Sequence, residues 1–171
     1  MANFEQALKY TLKNEGGWSN HPDDPGGATN HGITLKTAQR HGIHTAEELK
    51  AITPEKVANI YKADYWRFGG IKDQNTATKL FDMSVNMGTA TAVKLLQSVL
   101  NIAKANLKID GIFGPKTEAA VNSMDFDVLL EALCVWSVYH YCSIVERRPA
   151  SQVFLRGWLH RANATPKEMR A

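Results

Sequence analysis

A chain of 171 residues can bury one core, or one core with a dependent second lobe. Hydrophobic residues at 44% and charged residues at 22% match an ordinary soluble globular protein, and no run reads as the ~20 apolar residues of a membrane span. The net charge is +3, and residues 147–171 carry much of the excess, with five Arg and one Lys against one Glu. A basic end suits an anionic partner such as cell wall, membrane surface or nucleic acid, or is simply a solvated face.

In chain order, the first segment has the pattern of an amphipathic helix. Asn3 is placed to cap it, and Phe4, Ala7, Leu8, Thr11 and Leu12 fall on one face. Gly16-Gly17 stops it. From Trp18 to Thr34 turn formers dominate, and Asp24-Pro25-Gly26-Gly27 suits a type II turn, so a long loop or small β-ribbon is expected. A loop this long within a compact domain is usually functional. Helices are then predicted over Leu35–Arg40, from Thr53-Pro54 to about Trp66, from Asn75 to Met87, and from Thr89 to about Ala105. Asp110-Gly111-Ile112-Phe113-Gly114-Pro115 forms a turn-rich connector, a long helix runs from about Asp125 to Arg147, and a short one covers Gln152 to Arg161. Cys134 and Cys142 lie eight residues apart in the long helix. At ~1.5 Å per residue they are too far apart for a disulfide, and both are expected to be buried thiols, as in a reducing compartment.

Glu15 is the residue most suggestive of chemistry. It continues the apolar stripe of the first helix, three residues past Leu12 and seven past Leu8. Partial burial and a helix C-terminus both favour the protonated form that a general acid needs. An exposed Glu at a helix end is the alternative. A glycosidase needs a second carboxyl group, and Asp23 and Asp24 follow in the loop, with Thr29 beyond them. Asp24 can serve as base, with Thr29 holding the water, or it can merely start the turn before Pro25. The six histidines match no zinc spacing, and no metal is expected. The glycine pairs follow a helix in a turn-rich segment, the wrong setting for a phosphate loop or dinucleotide fingerprint.

The stretch from Glu15 to Thr34, Glu15-Gly16-Gly17-Trp18-Ser19-Asn20-His21-Pro22-Asp23-Asp24-Pro25-Gly26-Gly27-Ala28-Thr29-Asn30-His31-Gly32-Ile33-Thr34, resembles the signature of the family 108 glycoside hydrolases. The family's catalytic Glu maps onto Glu15. The order of Glu, an Asp nine residues on, and then Thr is also similar to phage-type lysozymes, which implies Asp24 and Thr29 as partners. Trp18 stands where the family more often has Tyr. Tyr61-Lys62-Ala63-Asp64-Tyr65-Trp66 and Phe81-Asp82-Met83-Ser84-Val85-Asn86-Met87-Gly88 extend the resemblance. It implies Trp18, Asn30, Trp66 and Asn86 as substrate contacts, with the Asn86 amide on an N-acetyl group. From about Thr89 on, the chain resembles the predicted peptidoglycan-binding region of such proteins, through Asp110 to Thr117 and Phe154 to Arg161. Trp158 there either stacks on sugar or packs in the core.

The expected fold is mainly α and lysozyme-like, with a small β-ribbon at the active site. Residues 1–88 form the catalytic lobe, and residues 89–171 form a helical peptidoglycan-binding-like lobe packed with it as one unit. The resemblance implies hydrolysis of the β-1,4 bond between N-acetylmuramic acid and N-acetylglucosamine, with inversion and no cofactor. The expected partner is bacterial peptidoglycan, with no nucleic acid and no stable membrane insertion, and the chain is expected to act as a monomer. The N-terminal residues lack a basic region followed by an apolar stretch, so no secretory signal is expected. That fits a phage or prophage endolysin made in the host cytoplasm and released to the wall through a holin pore, or a part in toxin secretion. A lytic transglycosylase and a non-catalytic wall-binding module are the competing readings.

Overall fold

Asn3 caps the first helix by accepting a hydrogen bond from the Gln6 amide, and α1 runs over Phe4–Leu12 with Phe4, Ala7, Leu8 and Thr11 turned inward. The computed structural model describes residues 1–20 and 27–166. A short antiparallel hairpin follows, β1 (Thr29–Asn30) and β2 (Ile33–Thr34), with Thr29 opposite Thr34 and Asn30 opposite Ile33. Its two turn residues, His31 and Gly32, both have positive φ, 49° and 72°. That is the turn geometry whose twist matches a tight hairpin. Ser19 bridges to Thr29 on the other side, so the expected β-ribbon is present.

The rest is helical. Helices α2 (Leu35–Gln39), α3 (Ala46–Lys50) and α4 (Pro54–Tyr65) lead to α5 (Gln74–Met87) and α6 (Thr89–Ile102). Then come α7 (Pro115–Asn122), α8 (Phe126–Arg147), a 3-10 turn at Pro149–Ser151, and α9 (Gln152–Asn163). The predicted starts at Thr53-Pro54 and Thr89 hold. Helix α5 begins one residue early because the Asp73 carboxylate caps it, accepting from the amide and hydroxyl of Thr76. Helix α3 is not among the expected elements, although a capping box formed by Thr45 and Glu48 marks its start. Helix α6 ends at Ile102, short of Ala105, where Lys104 and Asn106 take positive φ. In the connector that follows, the Gln97 amide bonds Asp110 and the Ile112 carbonyl, and Gly111 lies where a Cβ would meet the Ala90 carbonyl oxygen.

Helix α5 is the centre of the packing. Every residue from Asn75 to Ser84 is buried, and α1, α4, α6 and α8 all pack on it. Aromatic side chains fill the space towards α1 and α4. Phe81 sits edge-on to Phe4 at 5.8 Å and to Trp66 at 5.6 Å. Helix α8 buries Leu129, Leu130, Leu133, Cys134, Ser137 and Tyr141 and supports α9. Its other side leaves Val128, Val135 and Tyr139 exposed. At 22 residues, α8 is long and apolar enough, by length and composition, to cross a membrane, which corrects the expectation that no such segment exists. The thiols also differ from expectation. Both cysteines are free, but only Cys134 is buried, because Cys142 falls on the outer side of α8.

A buried lysine fixes α9 to this core. Lys79 of α5 is 1% exposed, and its ammonium donates to the carbonyls of Arg161, Ala162 and Ala164, the last at 2.8 Å. These carbonyls lie at the C-terminal end of α9, where a cation also meets the negative end of the helix dipole. Burial pushes the Lys79 pKa down. The three hydrogen bonds compensate the buried ammonium for its lost hydration. Lys79→Met should therefore leave three carbonyls without their donor and lower stability by about 2–4 kcal/mol. Thermal unfolding should show this as a fall of roughly 5–10 °C. An unchanged melting temperature would mean that other contacts hold the end of α9. Alkylating Cys142 should leave both stability and activity as they were, since the thiol faces outward.

Candidate active site

Glu15 lies one turn beyond the end of α1. The chain continues past Leu12 through tight i to i−3 bonds, from Lys13 to Tyr10, Asn14 to Thr11 and Glu15 to Leu12. The side chain thus keeps the inward direction of the apolar stripe and is only 14% exposed. Three elements surround it. The Arg161 guanidinium of α9 donates from Nη2 to Glu15 Oε1 at 2.7 Å. The same guanidinium holds Asp82 of α5 through two bonds, Nε to Oδ2 at 3.0 Å and Nη2 to Oδ1 at 2.9 Å. The hairpin tip closes the other side. A methyl group on Gly32 would fall on Glu15 Oε2 and come within 2.9 Å of the Tyr61 hydroxyl oxygen.

The electrostatics follow from this arrangement. Burial works against the charged form of Arg161, but the hydrogen bonds and charges of Asp82 and Glu15 outweigh it, so its pKa rises. Tyr61 is pushed up first by burial and then by the charge of Glu15. Its hydroxyl donates to the His31 carbonyl at 2.7 Å, which ties α4 to the hairpin tip. Tyr65 is pushed up by burial and by Asp64. Asn14 donates to Asp82 Oδ1 at 3.4 Å, so the residue beside Glu15 joins the same network.

The sequence-predicted residues divide between cleft and scaffold. Asn86 of α5 is half-buried and lines a cavity of about 310 Å³ with Asn14, Gly157, Trp158, His160 and Arg161. Trp158 is half-buried: its ring stacks on Tyr141 at 5.2 Å with the planes 23° apart, and it borders that cavity. Thr29 lies on β1 behind the hairpin tip, its hydroxyl donating to the Gly27 carbonyl at 3.4 Å. Trp18 packs against the core, with the Lys50 ammonium 5.9 Å from its ring centre. Asn30 is instead turned inward at 5% exposure, where its amide donates to the Leu49 and Lys50 carbonyls and anchors the hairpin to α3. Trp66 packs with Phe4, Phe68 and Phe81 near the start of α1, away from Glu15. Asp24 and Asp23 lie outside the described residues. Among the described residues, no three His, Cys, Asp or Glu side chains gather to hold a metal ion.

Asp82, Arg161 and Tyr61 fall within segments that carry the family resemblance, but sequence reasoning gives none of them a role. A charged residue on the inner side of an otherwise buried helix is the available sign for Asp82. Nothing local points Arg161 at Glu15, which is 146 residues away.

Comparison with known proteins bears on the family. Residues 8–88 match the family described as Glycosyl hydrolase 108, and residues 91–163 match the Predicted Peptidoglycan domain. The structure of Brucella abortus SagA superimposes with a TM-score of 0.75 at 33% identity, covering 93% of this chain and 88% of that one. No curated protein matches. The catalytic-family segment therefore ends where the predicted peptidoglycan segment begins, just after α5, and the chain belongs to glycosyl hydrolase family 108 as a glycoside hydrolase of peptidoglycan.

Proposed function

We propose that the protein is an N-acetylmuramidase that cleaves the β-1,4 bond between N-acetylmuramic acid and N-acetylglucosamine by inversion. The observation that carries this reading is the setting of Glu15. It occupies the family's catalytic position by motif, and its side chain is 14% exposed at the meeting point of α1, the hairpin and α9. Glu15 donates the proton to the departing glycosidic oxygen. Asp24, helped by the Thr29 hydroxyl, removes a proton from the attacking water on the opposite face of the sugar. Asn86 and Trp158 border the adjoining cavity, where an amide and an indole suit an N-acetylated sugar. The proposed setting is wall degradation by a phage or prophage lysin reaching its substrate through a holin-type pore.

A lytic transglycosylase needs an acid but no base for water, because the sugar's own hydroxyl attacks. Mass spectrometry of the products separates the two reactions, since 1,6-anhydro ends belong to the transglycosylase and hydrated reducing ends to the hydrolase. Glu15→Gln should keep the fold and lower wall lysis by more than about 100-fold, because an amide has the shape but not the proton. Retention of a tenth of wild-type activity would remove Glu15 from the role.

Asp24→Asn should be nearly as damaging, with binding of peptidoglycan fragments retained. Azide should restore turnover of Asp24→Asn and give an α-glycosyl azide, the product of attack opposite the leaving group. A fully active Asp24→Asn would reduce Asp24 to a turn former and move the base role to Asp23 or to another residue.

Gly32→Ala tests the closeness of the hairpin tip to the acid. Its φ of 72° disfavours any residue with a Cβ, and the methyl would land on Glu15 Oε2. The strain should cost about 1–2 kcal/mol of stability. The displaced carboxyl should cost about tenfold or more in turnover, read in a dye-release assay on labelled walls. Wild-type turnover in this variant would show that the tip yields without disturbing Glu15.

A further inference from the structure

We infer that Arg161, contributed by the last helix of the peptidoglycan-domain segment, is a positioning residue for Glu15, and that it fixes which carboxyl oxygen delivers the proton. The inference rests on the reading of Glu15 as the general acid. A guanidinium has donors and no acceptor, so an oxygen that accepts its hydrogen bond cannot point a proton at it. Arg161 Nη2 bonds Glu15 Oε1 at 2.7 Å. With Oε1 taken by the guanidinium, the acidic proton is carried on Oε2, which packs against the hairpin tip in the place that a Gly32 side chain would occupy. This holds whether Glu15 is ionised or protonated, because Oε1 can accept the bond in both states.

Arg161 can do this because it is itself held. Asp82 is 2% exposed and takes the guanidinium by two bonds, which sets the plane of the fork. Lys79, three residues earlier on α5, grips the backbone of Arg161 at its carbonyl, 3.2 Å away, and the carbonyls of Ala162 and Ala164 beyond it. Side chain and backbone of the same residue are thus tied to one rigid helix. Lysine could supply charge at this place but not the planar fork that reaches two carboxylates at once. The second lobe, on this account, completes the catalytic group in addition to any role in holding the wall.

The test compares Arg161→Ala, Arg161→Lys and Glu15→Gln with the wild type as full-length proteins on soluble peptidoglycan fragments. Arg161→Ala should lower kcat by about 10- to 100-fold with KM within about twofold, because the group acts on the acid and not on the sugar. Arg161→Lys keeps a cation beside Asp82, which protects the fold, and should recover only part of kcat. Millimolar guanidinium should raise the turnover of Arg161→Ala, whereas the same concentration of sodium chloride should not.

Several results would overturn the inference. One is a wild-type kcat in Arg161→Ala. Another is a loss that only tracks the unfolded fraction in circular dichroism while Arg161→Lys is fully active and guanidinium has no effect. A rise in KM with kcat unchanged would make Arg161 a substrate contact instead. Substantial activity in Glu15→Gln would remove the acid itself and the inference with it. If Glu15→Gln is inactive while Arg161→Ala turns over normally, the acid stands and only the positioning role falls.

Discussion

Two opposite charges buried on one face of α5 hold the molecule's functional arrangement together. Lys79 and Asp82 are three residues apart, so they project from neighbouring positions on the helix. Both are buried, at 1% and 2% exposure, and both reach α9. Lys79 takes the backbone carbonyls at its end, and Asp82 takes the Arg161 side chain. Such a pair of anchors is demanding. Breaking a buried ion pair by removing one partner typically costs about 3–5 kcal/mol, against at most about 1 kcal/mol for an exposed one. Helix α9 is therefore bound to one place and one orientation, which apolar packing alone specifies less sharply.

That constraint reaches the site through a single side chain. Arg161 spans the gap between Asp82, in the core, and Glu15, at the edge of the cleft. From the other direction the hairpin is held just as firmly. The Tyr61 hydroxyl bonds the His31 carbonyl, and the Asn30 amide bonds the carbonyls that end α3. Glu15 sits between two fixed walls. Its own segment is only a few residues past a helix end, which would otherwise leave it free to move.

The arrangement also bears on how the two family segments cooperate. The catalytic-family match ends at residue 88 and the peptidoglycan-domain match begins at residue 91, yet the network around Glu15 takes Asp82 from the first and Arg161 from the second. The cavity beside it is likewise shared, with Asn14 and Asn86 on one side and Gly157, Trp158 and His160 on the other. A boundary in family description is not a boundary in physical structure here, because buried charges are satisfied across it.

The sequence by itself determined what depends on near neighbours. Asn3, Thr53 and Pro54 placed helix starts through local hydrogen bonding and fixed φ. The apolar stripe carried Glu15 inward. The same kind of reading does not reach side chains whose surroundings are set by distant partners. Asn30 and Trp66 stand at motif positions, and the structure adds contacts that the sequence does not show, from Asn30 to α3 and from Trp66 to the aromatic cluster. Cys142 and Cys134 share one helix, and only the docking of neighbouring elements decided which thiol is covered. Arg161 and Asp82 could not be chosen from the sequence, because a charged residue reads as exposed until its partner is known. Their pairing follows from the way α5 and α9 pack, across 79 residues of chain, and only the tertiary structure decides that.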